Sequence, residues 1–423
     1  MTAEAIKEGF EAASAPPPEV RERYHSLDFL RGSLMLLGIA FHAALPYDDL
    51  SPWIKDAPLS APLGTLALGI HAFRMPIFFV LAGFFAALTL SRRSPLDFVG
   101  NRGLRIGIPL LVGWAVLPPL VSAGTVFAIA ANFTAFRQAF DSAWELLKEG
   151  DFFFKDDSMH LWFLYYLLLF YAVLLAVRGA IESAGGMRAQ DGLSRSFVRL
   201  LESPLRLPVL TIVVFALAQL IEFPNYENPQ SFTPDPRLFA YYGAFFAFGC
   251  VLFSRRCVLN SFGAGAWLNL MLAIVALGAL RLAVAKWSAD EANIEAWTAL
   301  GRAATALAIC GLLFSSVGLL QRYLNRPLPV MRYVADASYW CYLIHLPLVV
   351  WMPGLLVKQD WPSELKFAVV LIAALTICLL TYELFVRWTY VGTVLQGRRY
   401  PSVIRVFRRR EAPVITTANP TSA

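Results

Sequence analysis

Charge is the scarcest commodity in this 423-residue chain: 16% of its residues are Asp, Glu, Lys or Arg, against 57% hydrophobic, and mean hydropathy is +0.56. That balance excludes an ordinary water-soluble enzyme of this length and implies a polytopic membrane protein. Cysteine is also sparse. The five present (Cys250, Cys257, Cys310, Cys341 and Cys378) form no C-x-x-C pair, so no disulfide framework and no metal site is expected. Residues 1–26 lack the pattern of a cleavable signal; polar and carrying Pro16, Pro17 and Pro18, they read as a disordered cytoplasmic leader. No internal repeat is visible, inverted or otherwise, which argues against a transporter built from two halves.

What the chain does have is apolar length. A bilayer core of about 30 Å needs about 20 apolar residues per helix. Such spans can be laid at 27–46, 62–90, 105–130, 160–178, 207–223, 238–254, 262–283, 297–320, 334–356 and 363–387. The expected fold class is therefore all-α, an integral membrane bundle of about ten transmembrane helices over 27–390, followed by a basic tail over 391–423. Lys and Arg outside the spans concentrate in the two tails and the even-numbered loops, which predicts both termini in the cytoplasm. Arg398, Arg399, Arg405, Arg408, Arg409 and Arg410 would suggest nucleic acid on a soluble protein. Beside a membrane helix they read as topology and anionic-lipid contact, with no nucleic-acid partner.

Ionisable groups inside spans are costly and normally face a cavity or a partner, so they are the first candidates for function. In the first span Asp28 and Arg31 stand near the start and His42 near the end. The eleven steps from Arg31 to His42 return to nearly the same helix face, about 16 Å along the axis, so both are expected to look at one place. An interfacial Asp28–Arg31 pair with an interior histidine also fits. His71 and Arg74 are three apart on the second span, just before Pro76, while Ala82 and Gly83 after them read as close helix packing. The stretch 91–105 reads as an inner loop in which Arg102 and Arg105, one turn apart, suit the phosphates of a cofactor, although positive-inside topology explains them equally.

His160 and Trp162 close an outer loop over 131–159 and fit sugar recognition or an aromatic belt. The turn-rich outer loop 224–236 offers Asn225, Tyr226, Glu227 and Asn228 as further sugar contacts. The inner loop 179–206 is basic and without a motif, and Tyr241 to Gly249 reads as helix packing. Tyr339, Tyr342 and His345 make a polar stripe three residues apart, and Glu383 puts a carboxylate near the inner boundary of the last span.

Five of these pieces, in order, resemble the membrane acyltransferase family known as acyltransferase family 3, across most of 24–390. They are Leu27-Asp28-Phe29-Leu30-Arg31 with its spacing to His42, Phe73-Arg74-Met75 through Phe78-Phe79 and Gly83, Arg102-x-x-Arg105, His160-Leu161-Trp162, and Ser338-Tyr339 through Tyr342, His345 and Pro347. One departure is Ala82, where members often carry Ser. Within the family, Met35 to His42 and His71 to Met75 are most similar to the glucan biosynthesis protein C branch, which succinylates osmoregulated periplasmic glucans. The resemblance implies a ten-helix, N-in protein of the bacterial inner membrane that moves an acyl group from cytoplasmic acyl-CoA, succinyl-CoA or acetyl-CoA, to a hydroxyl of an exported glycan. It implies His42 as catalytic histidine, Arg31 as its required partner, and Arg102 and Arg105 as the coenzyme A pair, with no permanently bound cofactor.

The residues support such chemistry. A histidine near its unperturbed pKa of about 6.5 is the side chain best placed to take a sugar hydroxyl's proton. Arg74, His71 or the Tyr342 hydroxyl supplies a donor to the thioester oxygen, and Asp28, His160, Trp162, His345 and Glu383 are supporting candidates. Direct transfer and an acyl-histidine intermediate both fit. Other exported polysaccharides or lipid-linked sugars fit as acceptors. In a different class, a glycan or anion transporter would also line its path with His42, Arg31 and Arg74.

Overall fold

The computed structural model describes residues 24–48, 58–150, 157–183, 190–224, 228–326 and 328–397, with backbone alone for 190–194. Asn225, Tyr226, Glu227, the arginines from 398 onward and nearly all of the leader lie outside the described residues. Within them, regular structure is entirely helical. The long helices are α1 (His25–Ala44), α2 (Ala61–Leu90), α4 (Ile108–Phe133), α6 (Trp162–Ser183), α9 (Pro236–Ser254), α10 (Ala266–Trp287), α11 (Ile294–Leu324), α12 (Pro329–Leu356) and α13 (Ser363–Thr381). Shorter ones are α3 (Pro95–Arg102), α5 (Phe136–Glu149), α7 (Gln190–Glu202), α8 (Arg206–Leu217) and α14 (Tyr390–Gln396).

Nine of the described helical stretches are long and apolar enough to cross a membrane, and a tenth forms if α7 and α8, bent by 110° at their junction, count as one. The chain is thus a multi-pass membrane protein. The expected fifth span is where the sequence reading is least literal: α8 is short and turns into a 3-10 segment at Ala218–Leu220. Three stretches read as loops are largely helical. The stretch 91–105 contains α3 and runs through a π turn at Gly103–Gly107 into α4, 131–159 contains α5, and 179–206 contains α7. Each of α5 and α7 pairs a run of apolar positions at helical spacing with charged residues, a pattern short-window hydropathy cannot separate from a polar loop.

Local chemistry sets the helix starts. Ser60 caps α2 by accepting from the Leu63 amide, and Asp235 caps α9 by accepting from the Arg237 amide at 2.7 Å, each followed by a proline in the first turn. α1 sits inside the bundle, packed on α2, α11, α12 and α13, while α12 also lies on α4. Large apolar side chains on the outer faces, such as Leu111, Val112, Trp267, Val275 and Ile372, stay exposed, as lipid contact requires.

α2 and α9 cross closely. A Cβ at Gly83 would overlap the Phe246 carbonyl, and one at Gly249 would overlap the carbonyl of Val80. Backbone meets backbone there, as the small residues imply. Gly249→Val is therefore expected to wedge the crossing apart at a cost of about 1–3 kcal/mol or more. A lowered thermal midpoint and reduced monodisperse yield in detergent would register it; a wild-type melting curve would refute the crossing.

Candidate functional site

Two cavities open at opposite ends of α1. The first, about 300 Å³, is lined by His42 and Phe41 from α1, Arg74 and Phe78 from α2, His160 and Trp162 beside the start of α6, and Tyr342 and His345 from α12. Its polar margin comes from Ser122, Thr125, Asp157, Asn228 and Gln230. The second, about 470 Å³, is lined by Asp28, Arg31, Arg92, Arg102, Arg105, Tyr171, Asp336, Tyr339 and Gln396. Four arginines there face two carboxylates.

In the histidine cavity the rings form a chain. His42 lies 5.2 Å from His345 and His345 lies 5.2 Å from His160, centroid to centroid. Two of the three are anchored on backbone. His345 Nδ1 donates to the Tyr342 carbonyl at 2.8 Å and the Cys341 carbonyl at 3.2 Å. His160 Nε2 donates to the carbonyls of Tyr342 and Leu343 at 3.1 and 3.3 Å. The sequence explains the second anchor. Pro347, inside α12, has no N–H for the Leu343 carbonyl four residues earlier, and His160 takes that acceptor. The Tyr342 hydroxyl returns a bond to the His160 carbonyl at 2.7 Å, so loop and helix clamp each other.

Arg74 presents its guanidinium 5.2 Å from the Phe41 ring centroid, and a Cβ on Gly38 would overlap its Nη1. Its Nε is buried without a hydrogen bond among the described residues. A guanidinium held at a cavity wall in low dielectric is positioned to receive negative charge, whether an anionic group or a developing oxyanion.

The arginine cavity is ordered differently. Arg31 pairs with Asp28 at 3.4 Å, as the interfacial alternative foresaw, and lies 5.1 Å from the Phe85 ring centroid. Arg102 donates to Thr89 Oγ1 at 2.7 Å and packs on Phe98 and Tyr171. Arg105 donates to the Gln396 carbonyl at 3.0 Å, and the Tyr339 hydroxyl donates to the Arg105 carbonyl at 2.7 Å.

Several expectations need correction. Arg31 and His42 do not look at one place: each lines its own cavity, because Met35 of α1, with Phe78 and Phe163, fills the space between and lines both. Phe78 and Phe163 meet edge to face at 4.6 Å. The stripe of three on α12 is likewise divided, Tyr339 to the arginine cavity, Tyr342 and His345 to the other. His71 lines neither; it stacks on Phe41 at 4.9 Å, behind the ring that Arg74 covers. Glu383 lines neither and pairs with Arg387 at 3.7 Å. Trp162 is 4% exposed and packs on Tyr242, so it belongs to no aromatic belt. Ala82 faces the arginine cavity while Gly83 faces α9, dividing two residues that were read together.

The sequence reading passed over Ser122, Thr125, Gln230, Tyr171 and Gln396. Ser122 and Thr125 carried a signal, two hydroxyls three residues apart in an apolar span. Gln230 and Gln396 carried none, since one sits in a turn-rich loop and the other joins the bundle only through α14.

The acyltransferase domain family matches residues 24–383. Among curated proteins, the chain is 26% identical to the Glucans biosynthesis protein C of Salmonella paratyphi B over 396 residues, 91% of this chain and 97% of that one. The protein of the same name from Salmonella typhimurium is 25% identical over 397 residues, with the same coverage. No solved structure matches.

The proline-made acceptor is directly testable. Pro347→Ala supplies an N–H that competes for the Leu343 carbonyl and leaves His160 Nε2 the Tyr342 carbonyl at 3.1 Å, so the His160 Nε2–H signal is expected to shift with its tautomer kept in ¹⁵N-histidine NMR spectra. An unchanged His160 signal would show that the proline does not set this contact.

Proposed function

The chain belongs to the acyltransferase 3 family, and on that footing we propose that it moves an acyl group from a cytoplasmic acyl-CoA to a hydroxyl of a periplasmic glycan, across a bacterial inner membrane. Succinyl-CoA is the preferred donor and acetyl-CoA the alternative. A glucan is the preferred acceptor, as the name of the Salmonella relatives suggests, and the resemblance given above makes it an osmoregulated periplasmic one. The observation that carries the proposal is the pair of cavities, one rich in arginine and one in histidine, that share the Met35, Phe78 and Phe163 wall.

Arg102 and Arg105 take the cofactor phosphates, the planar guanidinium being suited to a phosphate's paired oxygens. Arg31 and Asp28 border the same space. The thioester end of the donor then reaches the shared apolar wall, where the acyl carbon meets an acceptor hydroxyl held from the other side. Ser122, Thr125, Asn228, Gln230 and Asp157 give that acceptor the mixed donors and acceptors sugar hydroxyls require. His42 takes the hydroxyl proton as oxygen attacks the thioester carbon. Arg74 stabilises the charge gathering on the thioester oxygen, and the carbon–sulfur bond breaks as the proton passes to the departing sulfur. Atoms balance: an ester and a free thiol leave. A succinyl carboxylate finds Arg74 as its natural counter-charge, which is what favours that donor over neutral acetyl.

Purified protein with a periplasmic β-glucan is expected to release free thiol from one of the two donors, dependent on acceptor. His42→Ala should cut that rate by about 100-fold or more, the usual contribution of a general base. Arg102→Ala should instead raise KM for the donor by about tenfold, equivalent to about 1.4 kcal/mol, with kcat retained. Release indifferent to His42→Ala removes the base assignment and leaves the reaction class. No release from folded protein, with other glycan acceptors also inert, moves the reading to a transporter.

A further inference from the structure

A histidine that takes a proton becomes an imidazolium with two N–H groups, and the second needs an acceptor to hold the ring in place. In serine hydrolases a buried carboxylate fills that role. The one carboxylate lining the histidine cavity among the described residues is Asp157, and its Oδ1 accepts from the Met159 amide at 2.6 Å.

His345 offers a different acceptor. Its Nδ1 faces two carbonyl oxygens, at 2.8 and 3.2 Å, and carbonyls only accept, so Nδ1 carries the hydrogen and Nε2 keeps a bare lone pair. That Nε2 is buried without a hydrogen-bond partner among the described residues. The ring lies 5.2 Å from His42, tilted by 43°, a spacing from which small rotations bring two ring nitrogens into hydrogen-bond contact. The residue is 1% exposed. On its far side stands His160, itself fixed by the α12 carbonyls.

We propose that His345 is a positioning residue that accepts the second N–H of His42 through Nε2, a neutral partner where hydrolases use a carboxylate. The inference rests on the acyl-transfer reading for its assay. It has a chemical consequence. A neutral acceptor stabilises the His42 imidazolium less than a carboxylate does, so the ring returns its proton readily to the leaving sulfur.

The test uses two substitutions in the full chain, assayed by thiol release at matched folded fraction. His345→Asn keeps an N–H near the Nδ1 position but places no acceptor at Nε2; kcat is expected to fall about 100-fold with KM for both substrates little changed. His345→Gln places a carbonyl oxygen near the Nε2 position and is expected to recover about tenfold over His345→Asn. Full activity in His345→Asn, or no recovery in His345→Gln, overturns the proposal. A second measurement does not depend on activity. The chain has only five histidines, and in ¹⁵N-histidine-labelled wild type His345 is expected as the Nδ1–H tautomer, its Nε2 signal shifting in His42→Ala. An Nε2–H tautomer, or an Nε2 signal indifferent to His42→Ala, overturns it even if no donor or acceptor gives turnover. A wild type that never releases thiol, with both spectral results as expected, would instead count against the acyl-transfer reading alone.

Discussion

Inside a bilayer no water rescues an unpaired backbone group, so backbone N–H and C=O groups at depth must be matched from within the protein. The histidine cavity is organised by one solution to that constraint. Pro347 deprives the Leu343 carbonyl of its helical partner, and His160 supplies a replacement from another segment. The same contact ties the loop before α6 to α12, fixes which nitrogen of His160 bears hydrogen, and with the returning Tyr342 bond leaves little play between the two elements. A residue that elsewhere would merely bend a helix here frees an acceptor for one histidine of the site.

The second organising fact is the separation of charge. Arginines gather at the start of α1 and histidines toward its end, with a single guanidinium among the described residues, Arg74, on the histidine side. The two groups differ in how they are held. Arg31 and Arg102 lie on aromatic faces, Arg31 pairs with Asp28, and Arg102 and Arg105 donate to a hydroxyl and a carbonyl, so the guanidinium groups are held at the cavity wall. His160 and His345 are held by backbone, which fixes their tautomers and leaves lone pairs. The first arrangement suits binding an anion and the second suits moving a proton.

Much of this was legible in the sequence, for identifiable reasons. Apolar runs of membrane length announce spans directly, and Asp28, Arg31, His42, Arg74 and His345 stand out because ionisable groups are rare there. What the sequence could not convey was which face each group would reach across the bundle. Helical spacing places Arg31 and His42 on one side of α1, but only the packing of α2 and α6 puts Phe78 and Phe163 beside Met35 between them. His71 and Arg74 share a helix face in the same sense, yet the Phe41 ring sends one behind it and leaves the other at the cavity. Amphipathic α5 and α7 were missed because their apolar stripes are narrow, and the bend between α7 and α8 has no signature beyond Pro204.

The shared wall of Met35, Phe78 and Phe163 has an electrical meaning as well. Two polar hollows at opposite ends of one buried helix, if joined by water, would make a conducting path. Phe78 and Phe163, edge to face, together with Met35, which lines the same two hollows, offer no group to solvate an ion or a file of waters, which is how dewetted constrictions close channels. The wall therefore acts as an insulator. It lets both hollows fill with water while the membrane around them keeps its voltage.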